Sequence, residues 1–139
     1  MKYKYILFDL DGTITESGPG IMNSVEYALN KMNREVGDRD TLKKFIGPPL
    51  TESMEKYYGM SEEEALLGVK YYREYYAVKG IFENSVYEGL AETLESLKNE
   101  GYILAVATSK PEEYAKRIAD KFDFAKYLQG FTGLRWMAL

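Results

Sequence analysis

The chain has 139 residues, of which 45% are hydrophobic, a composition typical of a globular protein with one sizeable core. Its net charge of −4, with no basic block, argues against nucleic-acid binding. No stretch is apolar and long enough to span a bilayer, and no secretory signal opens the chain. We therefore expect a cytoplasmic protein with neither a membrane nor a nucleic-acid partner.

The first informative feature is a short apolar run, residues 5–8, followed by Asp9-Leu10-Asp11-Gly12-Thr13. The run predicts a buried parallel strand, because it is too short for a helix and rich in strand formers. Open α/β sheets bind ligands at the carboxyl ends of their strands. Since Asp9 and Asp11 are two residues apart, an extended backbone points both carboxylates the same way. Gly12 then permits a sharp turn.

The chain contains no histidine and no cysteine, which limits the chemistry that this site can perform. Ser-His-Asp catalysis, Cys-His catalysis and histidine-based zinc sites are all excluded. Hydrolysis would have to use carboxylates with a hard cation, and Mg²⁺ prefers one or two carboxylates plus phosphate oxygens. Asp, Gly and Thr are also common in turns and helix caps. The complete five-residue string after an apolar strand favours the functional interpretation.

The middle of the chain predicts helices. Ile21, Val25, Leu29 and Met32 fall on one helical face, and Asp40 is an expected N-cap for a short helix through Phe45. A further helix is predicted over residues 51–58. Ser61 and Glu64 match a capping box for a helix that continues to about residue 79. The tyrosines of this region are expected to pack between helices: Tyr57, Tyr58, Tyr71, Tyr72, Tyr75 and Tyr76.

The pattern then returns to α/β. A leucine stripe (Leu90, Leu94, Leu97) predicts a helix that Gly101 follows as the C′ residue, and residues 102–107 predict a second buried strand. The string Thr108-Ser109-Lys110-Pro111 comes next. Ser109 and Glu112 match another capping box, which would start a helix ending near residue 122. A helix N-terminus after a parallel strand favours phosphate, and the Thr108 hydroxyl is expected to contact the same ligand. Helix capping alone is the alternative.

The chain resembles a haloacid dehalogenase superfamily hydrolase of the phosphoglycolate phosphatase-like branch over about residues 4–127. The first of the strings that carry this resemblance is highly specific, and the others add to it together. They are Phe8-Asp9-Leu10-Asp11-Gly12-Thr13, Phe45-Ile46-Gly47-Pro48-Pro49-Leu50, Lys79-Gly80-Ile81-Phe82-Glu83-Asn84, Val86-Tyr87-Glu88-Gly89 and Ala107-Thr108-Ser109-Lys110-Pro111. The resemblance implies a Rossmann-like α/β core, residues 1–15 and 85–139, with an inserted helical cap, residues 16–84.

The same resemblance implies a Mg²⁺-dependent phosphatase that acts on a small phosphorylated metabolite. Asp9 would attack phosphorus, and Asp11 would protonate the leaving oxygen and then activate water. Asp9 and the backbone carbonyl of Asp11 would bind Mg²⁺. The phosphate-binding residues would be Gly12, Thr13, Thr108, Ser109 and Lys110. An aspartate at the second position favours phosphate esters over haloacids, because an alkoxide leaving group needs a proton and a halide does not.

The chain departs from the family at its C-terminus, where the third-motif lysine and the distal acidic motif are absent. Lys110 belongs to the second-motif string, although it would partly substitute for that lysine. We therefore expect an incomplete core with only two core strands. We also hypothesise that residues 130–139 are read from a shifted frame. One permitted coding of them, with one added nucleotide, reads Gly-Ile-Tyr-Gly-Ala-Ala-Leu-Asp-Gly-Ser, which resembles the family's continuation.

Three functional classes stay open. The first is an active phosphatase, with another phosphotransferase or a pyrophosphatase of the same superfamily as a close alternative. The second is an inactive fragment that still binds phosphate, and the third is an interaction protein. Because a truncated sheet exposes strand edges and apolar faces, self-association is also expected.

Overall fold

The computed structural model describes residues 4–134, and these fold as two compact units. One unit combines residues 4–16 with residues 85–134, and the other is Ser17–Asn84. The chain therefore passes between the units after Glu16 and before Ser85. Residues 135–139, half of the segment covered by the frame-shift hypothesis, lie outside the described residues.

The first unit is built on a parallel sheet of three strands in the order β1 (Tyr5–Phe8), β4 (Ile103–Pro111), β5 (Gly130–Leu134). Tyr5 pairs with Ile103 and Phe8 with Val106, so the two longer predicted strands lie side by side. The expected α/β class is confirmed. The expected burial of β1 is wrong, because it is an edge strand on which Tyr5 and Leu7 are exposed. The expectation of only two core strands is wrong, because residues 130–134 add a third strand that pairs with β4 from Ala105 onward.

Two helices of this unit, α4 (Leu90–Asn99) and α5 (Glu112–Lys121), pack against the sheet. The core that they share with the strands is aliphatic, and Leu94, Leu104, Val106 and Ile118 are fully buried in it. Gly101 follows α4 with φ +96°, as expected of a C′ glycine. A two-stranded antiparallel ribbon completes the unit, formed by β2 (Thr15–Glu16) and β3 (Ser85–Val86).

The second unit is helical, with α1 (Gly18–Lys31), α2 (Leu50–Tyr58) and α3 (Glu62–Tyr76). Short 3₁₀ helices span Arg39–Phe45 and Gly80–Phe82. The expected core face of α1 is confirmed for Ile21, Val25 and Leu29, which are buried, whereas Met32 is the C-cap residue and is half-buried. Asp40 is not the N-cap of its helix. Asp38 takes that role, since its carboxylate accepts the Asp40 backbone N–H at 2.9 Å.

The capping box at the start of α3 forms as expected. The Glu64 N–H donates to the Ser61 hydroxyl, and the Ser61 N–H donates to the Glu64 carboxylate. Hydrogen bonds from Ser61 and Arg34 hold the pKa of Glu64 below its ordinary value. The helix ends at Tyr76, three residues before the expected end.

Tyr75 of α3 packs between helices as expected, since its ring meets Tyr27 of α1 at 5.4 Å between centroids. Tyr57 and Tyr58 of α2 contact the ring of Phe45. Tyr72 stacks on Tyr76 at 5.3 Å, but both belong to α3, so this contact lies within one helix. Across residues 4–134, no helix is both long and apolar enough to cross a membrane.

Candidate active site

The segment after β1 forms a tight turn around one carbonyl group. The Leu10 carbonyl accepts the backbone N–H groups of Thr13, Ile14 and Thr15 at 2.9–3.2 Å. Gly12 adopts φ +81°, a left-handed conformation that glycine takes without a steric penalty, and its N–H donates to the Thr15 carbonyl at 2.8 Å. The Leu10 side chain is fully buried, which anchors the turn in the core. The predicted turn at Gly12 is confirmed.

Asp9 lies at the start of this turn and is exposed. Its Oδ1 accepts the N–H of Leu10 at 2.8 Å, which fixes the carboxylate relative to the backbone. A carboxylate that is both anchored and open to solvent meets the first requirement for a nucleophile, which is that a substrate can reach it.

Asp11 has a different environment. Its side chain is only 16% exposed, and its Oδ1 is buried, 3.5 Å from the ammonium nitrogen of Lys110. That separation makes an ion pair but is long for a hydrogen bond. Burial lowers the pKa of Lys110, and the Asp11 carboxylate opposes part of that lowering. The two aspartates therefore differ in exposure and in partner, as groups with different chemical roles do.

The loop between β4 and α5 differs from the expected capping arrangement. Strand β4 continues to Pro111, which pairs with Leu134, and α5 begins only at Glu112. Pro111 is the N-cap residue and no side chain caps this helix, so the predicted capping box of Ser109 with Glu112 is wrong. The acidic Glu112 and Glu113 lie in the first helical turn, which disfavours a phosphate there.

Thr108 has a local role in this loop. Its Oγ1 accepts the backbone N–H of Lys110 at 3.1 Å, within the stretch where the β4–β5 register shifts. A hydroxyl that accepts through its oxygen still has its hydrogen to donate. The Thr108 hydroxyl is therefore available as a donor to an anion. Ser109, Gly12 and Thr13 are exposed.

The sheet register brings these segments together. Phe8 pairs with Val106, so Asp9 follows β1 at the same level at which Ala107 and Thr108 continue along β4. The pair formed by Asp11 and Lys110 joins the two segments directly. The structure thus places the predicted residues of both motifs at one edge of the sheet. Their individual catalytic and binding roles stay predictions.

The residues present fit part of a Mg²⁺ shell. Two aspartates supply hard oxygen ligands of the kind that Mg²⁺ prefers. Within the described ranges, however, no group of three or more acidic, histidine or cysteine residues is arranged to hold a metal. Oδ1 of Asp11 already faces an ammonium group, so the fit is better for Asp9 and for the backbone carbonyl of Asp11 than for that oxygen.

Comparison with known proteins agrees with this arrangement. The family model of the haloacid dehalogenase-like hydrolases matches residues 6–138. The chain belongs to this family. The predicted resemblance is therefore confirmed at the level of the family and its fold.

Individual relatives and one solved structure give the degree of similarity. The chain is 42% identical over 133 residues to a 5′-nucleotidase of Pseudomonas aeruginosa, covering 96% of this chain and 60% of that protein. It is 32% identical over 130 residues to a phosphoglycolate phosphatase of Aquifex aeolicus, covering 94% and 60%. A solved structure of a predicted phosphatase from Clostridium acetobutylicum superposes with a TM-score of 0.90 at 48% identity, covering 96% of this chain and 62% of that one. The chain thus spans about 60% of the length of these relatives.

One feature of the site was missed by the sequence reasoning. Lys110 was expected among the phosphate-binding residues, and its burial against Asp11 was not foreseen. The one sequence feature that bears on the position of Lys110 is its place two residues after Thr108. In a regular strand this spacing puts both side chains on one face. The register shift between Ala107 and Pro111 breaks that regularity.

Proposed function

We propose that this protein is a Mg²⁺-dependent phosphatase that hydrolyses a small phosphate monoester through an aspartyl-phosphate. The observation that carries the proposal is the contrast between the two aspartates of the first motif. Asp9 is anchored and exposed, whereas Asp11 is mostly buried against Lys110. Membership of the haloacid dehalogenase-like hydrolase family supports the same chemistry.

In the first step, a carboxylate oxygen of Asp9 forms a bond to phosphorus while the bond from phosphorus to the ester oxygen breaks. Asp11 gives its proton to that leaving oxygen. In the second step, the Asp11 carboxylate takes a proton from water, whose oxygen attacks phosphorus and releases Asp9 and inorganic phosphate. The Thr108 hydroxyl donates to a phosphoryl oxygen in both steps. Bound Mg²⁺, held by Asp9 and the Asp11 carbonyl, would neutralise phosphate charge.

The substrate class that we propose is phosphoglycolate or a similarly small phosphate ester. The relative named phosphoglycolate phosphatase supports this class. A 5′-nucleotide is a further candidate. The relative named 5′-nucleotidase is 42% identical to this chain, against 32% for the phosphoglycolate phosphatase. Both are alkyl phosphates, so both demand the proton that Asp11 would supply. We propose a cytoplasmic location for this chemistry, in keeping with the small polar substrate.

We further propose that this 139-residue chain is impaired. Among the described residues, no group of three or more acidic, histidine or cysteine side chains is gathered to hold a metal. Loss of a single preorganised electrostatic contact typically costs about 10²–10³ in rate. If the impairment is complete, the chain is an inactive fragment that still binds phosphate. The alternative activities, those of a phosphotransferase or a pyrophosphatase, would also begin with attack of Asp9 on phosphorus.

Turnover of a panel of phosphate esters tests this proposal. The panel contains phosphoglycolate, several 5′-nucleotides, pyrophosphate and p-nitrophenyl phosphate, each with and without Mg²⁺. We expect slow release of phosphate that Asp9→Asn abolishes. Asp120→Asn, which changes an exposed aspartate on α5, is the matched control and should keep the wild-type rate. Mg²⁺-independent turnover, or turnover that survives Asp9→Asn, would overturn the proposed function. Fast Asp9-dependent turnover would overturn only the impairment.

A further inference from the structure

The Lys110 side chain is buried at the site rather than projecting into solvent. Only 6% of it is exposed, and its ammonium nitrogen lies 3.5 Å from Oδ1 of Asp11. A buried ammonium group is costly unless an opposite charge or hydrogen bonds compensate for the lost hydration. The carboxylate of Asp11 supplies an opposite charge. The pairing is therefore part of what keeps this lysine inside.

Several contacts fix the position of Lys110. Its backbone N–H donates to Oγ1 of Thr108 at 3.1 Å. Strand β4 is paired with β5 on both sides of it, at Ala107 and at Pro111. The backbone of the lysine is thus held in the strand, which limits how far its ammonium group can move.

The carboxylate on the other side of the pair has few other restraints. Oδ1 of Asp11 is buried and has no hydrogen-bond partner among the described residues. It lies 3.5 Å from the ammonium nitrogen of Lys110. The orientation of this carboxylate therefore depends strongly on the ammonium group.

We propose that Lys110 is a positioning residue, whose ammonium group holds the Asp11 carboxyl in the orientation needed for proton transfer and does not itself bind the substrate phosphate. This inference rests on the proposed function, in which Asp11 transfers the proton. It replaces the phosphate-binding role that the sequence predicted for Lys110. It also predicts a selective effect, because only steps that use Asp11 depend on the lysine.

Two possible roles of Lys110, positioning Asp11 and binding the phosphoryl group, can be distinguished by changing the leaving group. An alkoxide must be protonated as it departs, whereas p-nitrophenolate is stable without a proton, so its release barely needs Asp11. If Lys110 acts through Asp11, its loss slows release of an alkyl alcohol and spares release of p-nitrophenol. If Lys110 binds the phosphoryl group, its loss slows both, because the phosphoryl group is common to both substrates.

Single-turnover release of the alcohol, with protein in excess over ester, is the test. Phosphoglycolate and p-nitrophenyl phosphate are compared in the wild type, Lys110→Met, Asp11→Asn and the double variant. We expect each variant to slow the alkyl reaction by about 10²-fold, the scale of a misplaced catalytic group, with no further loss in the double variant. The aryl reaction should change by less than about threefold. Equal slowing of both reactions by Lys110→Met would overturn the inference.

Two controls accompany the test. Lys116→Met makes the same substitution at an exposed lysine of α5 that pairs with Glu112, and it should leave both reactions unchanged. Lys110→Arg keeps the positive charge and should recover most of the alkyl rate. Failure of arginine to recover any rate above that of methionine would count against positioning by charge.

Thermal unfolding keeps the inference testable if the proposed function fails. If the wild type releases neither alcohol, the phosphatase proposal fails while the pairing can still be measured. Asp11→Asn leaves the buried ammonium group without its counter-charge, so adding Lys110→Met should raise the melting temperature relative to Asp11→Asn alone. A Lys110→Met effect that is the same in both backgrounds would show that the pair is not coupled and would overturn the inference.

Discussion

Gly20 of α1 packs directly against Gly80 of the 3₁₀ helix Gly80–Phe82, and this contact predicts a large effect for a single added methyl group. A Cβ atom added at Gly20 would lie 2.0 Å from the carbonyl oxygen of Gly80 and 2.7 Å from Oδ1 of Asn84. The nearer of these atoms belongs to the backbone, so relief requires one segment to move away from the other. Gly20→Ala is therefore expected to destabilise the helical unit.

The expected loss of stability in Gly20→Ala is the sum of two opposing contributions. Forcing an extra methyl group into a packed interior costs about 1–3 kcal/mol, and a backbone atom at this distance favours the upper end. Alanine is the better helix former by about 1 kcal/mol, which offsets part of that cost. We expect a net loss of about 2 kcal/mol in the free energy of unfolding.

Gly18→Ala is the matched control, because Gly18 lies two residues earlier on the same helix. Its added Cβ would meet Cδ1 of Ile46 at 3.4 Å, which is an ordinary contact. The control should be neutral or slightly stabilising. Urea unfolding followed by far-ultraviolet circular dichroism measures both variants against the wild type. Equal stability of Gly20→Ala and Gly18→Ala would refute the packing of α1 against the 3₁₀ helix.

Three further predictions concern pH, metal and association. Because the pKa of Glu64 is held low by Ser61 and Arg34, its contribution to stability is present above the ordinary carboxyl pKa and is lost as pH falls through the lowered value. Acid unfolding curves should show this loss, and Ser61→Ala should reduce it. Chelation of Mg²⁺ should abolish phosphatase turnover and Ca²⁺ should not restore it, since Mg²⁺ demands stricter octahedral geometry. Light scattering over a dilution series should show self-association through Tyr5 and Leu7, which are 64% and 68% exposed on edge strand β1. Leu7→Lys should reduce it, whereas Leu66→Lys on the helical unit should not, and a wild type that is monomeric at every concentration would contradict it.

Much of the fold follows from local sequence signals. The Ser61–Glu64 box and Gly101 each specify a structure through nearby residues, and both form as predicted. The apolar run before Asp9 forms the predicted parallel strand but not the predicted burial, because Tyr5 and Leu7 are exposed. The cap of the 3₁₀ helix Arg39–Phe45 was misplaced because Asp38 and Asp40 are both suitable capping residues two positions apart. Sequence alone does not distinguish them.

The part that could not be predicted depends on pairing between distant segments. Continuation of β4 to Pro111 depends on β5, which lies some twenty residues further along the chain. That pairing moved the start of α5 past Ser109 and removed the expected capping box. The burial of Lys110 against Asp11 likewise joins two segments about a hundred residues apart. The sequence pattern identified both residues as site candidates but did not indicate that they contact each other.

In the proposed reaction, Asp9 is the residue that takes the phosphoryl group from the substrate. Prolonged incubation with p-nitrophenyl phosphate and Mg²⁺, followed by borohydride trapping and peptide mass spectrometry, locates that group directly. We expect modification of Asp9 alone, absent in Asp9→Asn and still formed in Asp11→Asn, since this leaving group needs no proton. Modification at another residue, or none at Asp9 in the wild type, would contradict it.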